Sequence, residues 1–243
     1  MALREKKSTK ERYVTPIDRR EKKKIFVIAE GDKTETKYFQ GLKDNAKSLG
    51  IDNVIIVLEK DDKSKGTSDP DGLVKLVEDK KKSLTNPSHC DEVQTYDPNN
   101  DEFLIIMDRD KDFNQDKSKL RESEKRYHDF IEKYKDKYIL GITNPCFEVW
   151  LLLHKENAVG EIIEPNYDKI LYNKKISSNH TYISKLVSEY FHMNSKKGMR
   201  FSKFKDNVIN AVKQEKLLPQ DLVELEDKVG SNIGKIIEEK FIN

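Results

Sequence analysis

Three carboxylates stand where chemistry is easiest to build. Glu30 follows the apolar run Ile25-Phe-Val-Ile-Ala29, and Asp108 follows Phe103-Leu-Ile-Ile-Met107, with Asp110 two positions further on. Short, unbroken, β-branched runs read as strands buried on both faces, and in an open parallel sheet ligands bind outside the carboxyl ends of the strands. If the strand end stays extended, Asp108 and Asp110 point to the same side. Adjacency of the first and third strands would then bring all three carboxylates together. Hard oxygen donors of this kind suit Mg²⁺ or Mn²⁺ rather than zinc. Such ions assist phosphodiester chemistry by neutralising phosphoryl oxygens and activating a water or hydroxyl, and a carboxylate not wholly given to metal can act as general acid or base. Each motif also has a plainer reading. Glu30-Gly31 is ordinary turn chemistry, and Asp108-Arg109-Asp110 could cap the next helix or pair with Arg109 and Lys111. Their joint occurrence at two strand ends favours function.

The elements that must position these residues follow from the hydrophobic pattern. After the first strand, Thr34 can cap a helix with Tyr38, Phe39, Leu42 and Ala46 on one face, stopped by Gly50. Val54-Ile-Ile-Val-Leu58 is a second buried strand, followed by a Lys/Asp/Gly/Ser loop from Glu59 to Asp69 and a helix starting near Asp71. The third strand leads to an amphipathic helix over 116–137. Tyr138-Ile-Leu-Gly-Ile142 is a fourth strand, and Asn144-Pro145 opens an apolar helix. Alternating strands and helices predict an α/β fold with a parallel sheet covered on both faces. From about Tyr167 onward no strong strand run appears and helical patterns dominate, at 182–192, 201–217 and 220–240 with a break at Gly230. The expected organisation is a basic mobile arm over 1–23, an α/β domain over 24–160 and a helical C-terminal extension over 161–243.

Composition limits the function classes. With Gly 10, Pro 7 and Cys 2 in 243 residues, collagen-like and disulfide-framework chains are excluded, and 35% hydrophobic residues suffice for a packed core. Cys90 and Cys146 show no zinc-ligand spacing. The net charge of +2 conceals a segregation: residues 1–24 sum to +6 and residues 194–217 to +5, leaving −9 for the remainder. Basic ends around an acidic middle fit a phosphate binder whose centre needs metal to tolerate a polyanion, although solvated Lys/Glu-rich helices explain much of the charge. No apolar run reaches the roughly 18 residues needed to span a bilayer, and no signal-peptide stretch is seen, so a cytoplasmic protein is expected.

Three strings together resemble the RloB-like family of Toprim-type proteins over roughly residues 20–160. They are Phe26-Val-Ile-Ala-Glu-Gly-Asp-Lys-Thr-Glu35 with Tyr38-Phe39, Ile106-Met-Asp-Arg-Asp110, and Thr143-Asn-Pro-Cys-Phe-Glu-Val-Trp-Leu151 with His154. The third is the most specific. The resemblance implies a Toprim-like parallel sheet flanked by helices, as in topoisomerases, primases and the OLD-type nucleases. It also implies a phage-defence (abortive-infection) role in which an ATPase subunit assists attack on nucleic acid. No Gly-x-x-x-x-Gly-Lys-Ser/Thr is present, so any ATP dependence belongs to the partner. By the same resemblance Glu30 matches the Toprim glutamate, a general acid/base and metal contact, and Asp108 and Asp110 match the Asp-x-Asp pair that holds Mg²⁺. Glu35 corresponds to the second glutamate of the OLD-type nucleases, at a spacing one residue longer. Glu148 lies in the family string and could reach the same site. Asp112 reads as a solvated loop residue.

Trp150 and Phe147 read as core, and His154 as a buried, hydrogen-bonded histidine. Lys196, Lys197, Arg200, Lys203 and Lys205, mixed with Phe201, Phe204, Tyr190 and Phe191, form a candidate nucleic-acid backbone surface, unless Phe201 and Phe204 face the core. The leading expectation is a Mg²⁺- or Mn²⁺-dependent nuclease acting on DNA or RNA, possible targets including tRNA. A non-catalytic subunit that binds nucleic acid or the ATPase is the alternative, and primase-like nucleotidyl transfer a third.

Overall fold

The computed structural model describes residues 22–60, 70–85, 95–111, 115–178, 180–193 and 198–242. Most of the basic arm, Asp112, Cys90, Lys196 and Lys197 lie outside the described residues. The first half of the chain alternates strand and helix: β1 (Lys24–Ala29), α1 (Glu35–Asp44), β2 (Val54–Val57), α2 (Pro70–Leu84), β3 (Glu102–Asp108), α3 (Lys117–Tyr134), β4 (Ile139–Asn144) and α4 (Glu148–Leu152). The strands pair in parallel in the order β2-β1-β3-β4. Period-two alternation sends Ile25, Val27, Ala29, Leu104 and Ile106 to one face, under α1 and α4. Phe26, Ile28, Phe103, Ile105 and Met107 go to the other, under α2 and α3. Burial on both faces is why these strands are unbroken apolar runs.

Local chemistry sets the helix ends. Pro70 opens α2, where its missing N–H costs nothing, and the Asp116 carboxylate accepts from the Ser118 and Lys119 backbone N–H groups to cap α3. The expected cap at Thr34 is not made. Thr34 takes helical angles (φ −89°, ψ −61°) and its hydroxyl makes no capping bond, while Thr36 Oγ1 donates to the Gly31 carbonyl at 2.8 Å. Gly50, at φ +69°, ends the short 3-10 turn that prolongs α1.

The second half holds α5 (Tyr167–Tyr172), β5 (Lys175–Ser177), β6 (His180–Thr181), α6 (Tyr182–Phe191), α7 (Val208–Glu215), β7 (Gly230–Ser231) and α8 (Ile233–Ile236). The helical character expected of this region is present, and the structure refines it in two places. The region is mainly helical but not free of strands: β5 and β6 form a hairpin, and β7 joins the main sheet antiparallel to β4, pairing Ser231 with Thr143 and Gly230 with Asn144. Strands of two or three residues are too short to show a period. Second, the pattern over 220–240 does break at Gly230, but before the break there is only a 3-10 turn (Glu224–Glu226) and the break itself is a strand. Gly230 lies so close to Pro219 that a Cβ there would stand 2.3 Å from the Pro219 carbonyl oxygen, and this contact fits a strand crossing. Asn232 extends the ladder with its side chain, accepting from the Ile142 N–H at 2.7 Å and donating to the Leu140 carbonyl at 2.8 Å. Ile233, Ile237 and Phe241 then join the α1/α4 face, and Leu225 the α2/α3 face. Among the described residues no helix is long and apolar enough to cross a membrane.

Candidate active site

The strand order reverses between β1 and β3: the chain leaves β1 for β2 on one side, and β3 lies on the other. Such a switch point opens a crevice at the carboxyl ends of the strands. Glu30 and Asp108 flank it. The Glu30 N–H continues the ladder to the Ile106 carbonyl at 2.8 Å, and its Oε2 accepts from the Asp108 N–H at 3.2 Å. Asp108 Oδ1 in turn accepts from Thr143 Oγ1, directly opposite on β4, at 2.6 Å.

Asp110 reaches the crevice by a different route from the extended one expected. The strand stops at Asp108 and Asp110 adopts φ +36°, a left-handed turn. The Arg109 N–H bonds the Thr143 carbonyl and the Asp110 N–H bonds the Pro145 carbonyl, so the turn follows β4 as it leaves the sheet. The Asp110 side chain is exposed, and its charge acts on Glu30.

Glu35 and Glu148 also arrive here. Glu35 is the first residue of α1, yet it is buried, folded back over Gly31. A Cβ on Gly31 would fall 1.9 Å from its Oε2, so the missing side chain makes the room. Burial pushes the Glu35 carboxyl up to about 7, helped by the charges of Glu148 and Glu30. Asp108 is raised well above the usual carboxylate range, first by burial and then by Glu35, Glu148 and Glu30, against the Thr143 hydrogen bond. Glu30 is raised by burial and by Asp110, with the Asp108 N–H and Lys60 opposing. Five carboxylates therefore share one end of the sheet, and three of them are held against their ionised forms.

Sequence reasoning missed the partners of this cluster. Lys60, just past the end of β2, is buried; its Nζ donates to the Glu30 carbonyl and pairs with Asp32 at 3.2 Å. The strand-end rule that picked out Glu30 would have found it. Thr143 was visible only as part of a motif. Arg109 and Lys111, the cations that the sequence sets next to the aspartates, are engaged elsewhere. Arg109 lies over the Tyr127 ring and 3.8 Å from Glu226, while Lys111 pairs with Glu124 and Asp227. The C-terminal segment thus takes up the cations that flank the aspartates.

The bland readings of the neighbouring aromatics hold. Phe147 and Trp150 are fully buried, and His154 bridges the Tyr38 hydroxyl (3.0 Å) and the Trp150 carbonyl (3.1 Å), its pKa lowered to about 3 by burial. Phe204 is wholly buried against His154, and Phe201 packs on Tyr38. Arg200, Lys203 and Lys205 stay exposed on that α1 side of the sheet. Cys146 is buried, and its thiol is pushed up by burial and by Glu148 and Asp108.

Among the described residues no three His, Cys, Asp or Glu side chains already converge closely enough to hold a metal ion. The donor set nevertheless fits one. Carboxylate oxygens gathered at a crevice, raising one another's pKa, are what a hard divalent cation would relieve. The crevice opens into a cleft of about 540 Å³ between the strand ends, the start of α2 and one face of α3.

The profile of a family described as RloB-like protein matches residues 25–239. No curated protein matches the chain, and no solved structure does.

Proposed function

The chain belongs to the RloB-like protein family, and on that footing we propose that it is a divalent-metal-dependent nuclease of the Toprim class. In this reading it is the nucleic-acid-cleaving effector of a phage-defence system and works with an ATPase partner. The observation that carries the reading is the gathering of Glu30, Glu35 and Asp108 at the sheet's switch point, with Glu148 and Asp110 beside them, each of the three raised first by burial and then by a neighbouring carboxylate.

Glu30, Asp108 and Asp110 would hold Mg²⁺ or Mn²⁺, with Glu35 and Glu148 at its edge. Such an ion supplies charge neutralisation at the scissile phosphate and a more acidic attacking water. The chain's own residues do the rest. Thr143 fixes the rotamer of Asp108, the Asp108 N–H fixes that of Glu30, and Lys60 anchors the turn that follows β1 through the Glu30 carbonyl. Glu35, with a pKa of about 7, can hold a proton or give it up near neutral pH, as a general acid or base must.

Purified protein, alone and with its ATPase, should cleave DNA or RNA in Mn²⁺, tRNA being included among the substrates. Glu30→Gln and Asp108→Asn should each reduce the rate at least about 100-fold with the circular-dichroism spectrum unchanged. Equal cleavage by wild type and both variants would remove the nuclease assignment and favour a non-catalytic subunit.

A further inference from the structure

Resting on the nuclease reading, we propose that the cleft face of α3, through Arg126 and Lys133, is the track that holds the phosphate backbone of the nucleic-acid strand leading into the carboxylate site. Ser123, Arg126, Tyr127, Phe130 and Lys133 all line the cleft. Their spacing of three, four and seven residues places them on one side of the helix. Arg126 and Lys133 are two turns apart, about 10 Å along the axis, and both side chains are exposed. Neither has an ion-pair partner among the described residues; the Lys133 ammonium lies 4.8 Å over the Tyr134 ring. The other cations near the aspartates are committed: Arg109 to Glu226, and Lys111 to Glu124 and Asp227.

The basic segment singled out by composition is placed differently. Its phenylalanines are used in the α1/α4 core, and α3 belongs to the opposite face of the sheet, together with the cleft. No aromatic ring on the cleft wall is free for stacking on a base, since Tyr127 and Phe130 are buried. The contact is therefore with phosphates and tolerant of sequence. Asp71 and Asp129 share the wall. They offset part of the attraction and leave it concentrated at the two cations.

The test is binding of fluorescein-labelled oligothymidylate and oligouridylate, measured by anisotropy in Ca²⁺ buffer over a range of salt. Each phosphate contact on a single strand contributes about 0.7 to the slope of log K against log salt. Arg126→Gln with Lys133→Gln should lower that slope by about 1.4 and weaken binding at least about tenfold at low salt. Asp129→Asn should tighten binding. The triple change of Arg200, Lys203 and Lys205 to Gln should leave both quantities alone. All these side chains are exposed, so folding is spared, and a melting curve for each variant verifies it. The two oligonucleotides separate DNA from RNA preference. An unchanged slope in the α3 double variant, binding lost only in the triple variant, or no binding by wild type overturns the track. Carboxylate-dependent cleavage is read in a separate assay, so failure of the track and failure of the nuclease reading are distinguishable.

Discussion

Glu35 is a carboxylate placed where it does not want to be charged. Its folded pKa of about 7 lies above the ordinary 4.5, so the native state binds its proton more tightly than the unfolded chain. Its stabilising contribution is fully present below about pH 4.5 and is lost as pH rises through about 7. Glu35→Gln, neutral throughout, should therefore raise the melting temperature above wild type by roughly 3 °C or more at about pH 8 and leave it nearly unchanged at about pH 4. Calorimetry at the two pH values decides this, and an equal shift at both would mean that the carboxylate is not strained. Gly31→Ala addresses the same carboxylate from the other side. A methyl group where Glu35 Oε2 now sits should displace the carboxylate and weaken Mn²⁺ binding in titration calorimetry, with helix content unchanged. Under the proposed function Mn²⁺ would occupy the carboxylate site of the folded chain alone, so saturating Mn²⁺ should raise the melting temperature of wild type more than that of either variant.

At the scale of elements, α1 and α4 are bound to each other and to the 201–207 turns through Tyr38, Trp150, His154 and Phe204. The Tyr38 hydroxyl is His154's partner in a fully buried setting. Tyr38→Phe leaves that nitrogen unpaired and should cost about 1–3 kcal/mol. Phe204, 4.7 Å from Phe191 between ring centroids, is a core residue despite its basic surroundings. Phe204→Ala should cost about 3–5 kcal/mol, whereas neutralising Arg200, Lys203 and Lys205 should change stability by no more than about 0.5 kcal/mol. Urea denaturation reads both. A larger effect from the cations than from the phenylalanine would show that the segment is held by charge.

Over the whole molecule, the segment after Lys216 completes the sheet. β7 covers the β4 edge, Ile233, Ile236, Ile237 and Phe241 fill the α1/α4 face, and Glu226 and Asp227 take the cations beside the aspartates. Ending the chain at Lys216 should abolish the cooperative melting transition, because it uncovers both a strand edge and a large apolar surface. Asn232→Ala, which leaves the buried Ile142 N–H and Leu140 carbonyl without their side-chain partner, should cost about 2 kcal/mol while the chain still folds. A truncated chain that melts cooperatively would mean that residues before Lys216 fold by themselves.

The first four strands and the residues after them were legible in the sequence because a strand buried on both faces must be an unbroken apolar run, and a charge can follow it only at its end. Glu30 and Asp108 are therefore legible from the sequence alone. What the linear pattern could not carry was contact between distant segments. β7 has two residues and no period, and its place depends on Gly230 meeting Pro219 and Asn232 meeting β4. The turn that brings Asp110 in depends on carbonyls of Thr143 and Pro145. Lys60 and Thr143 matter only because strand order sets them beside Glu30 and Asp108. Periodicity along the chain determined which residues are buried and where acids can emerge; tertiary packing decided which charges face one another, because Coulomb interactions follow distance in space and not in sequence.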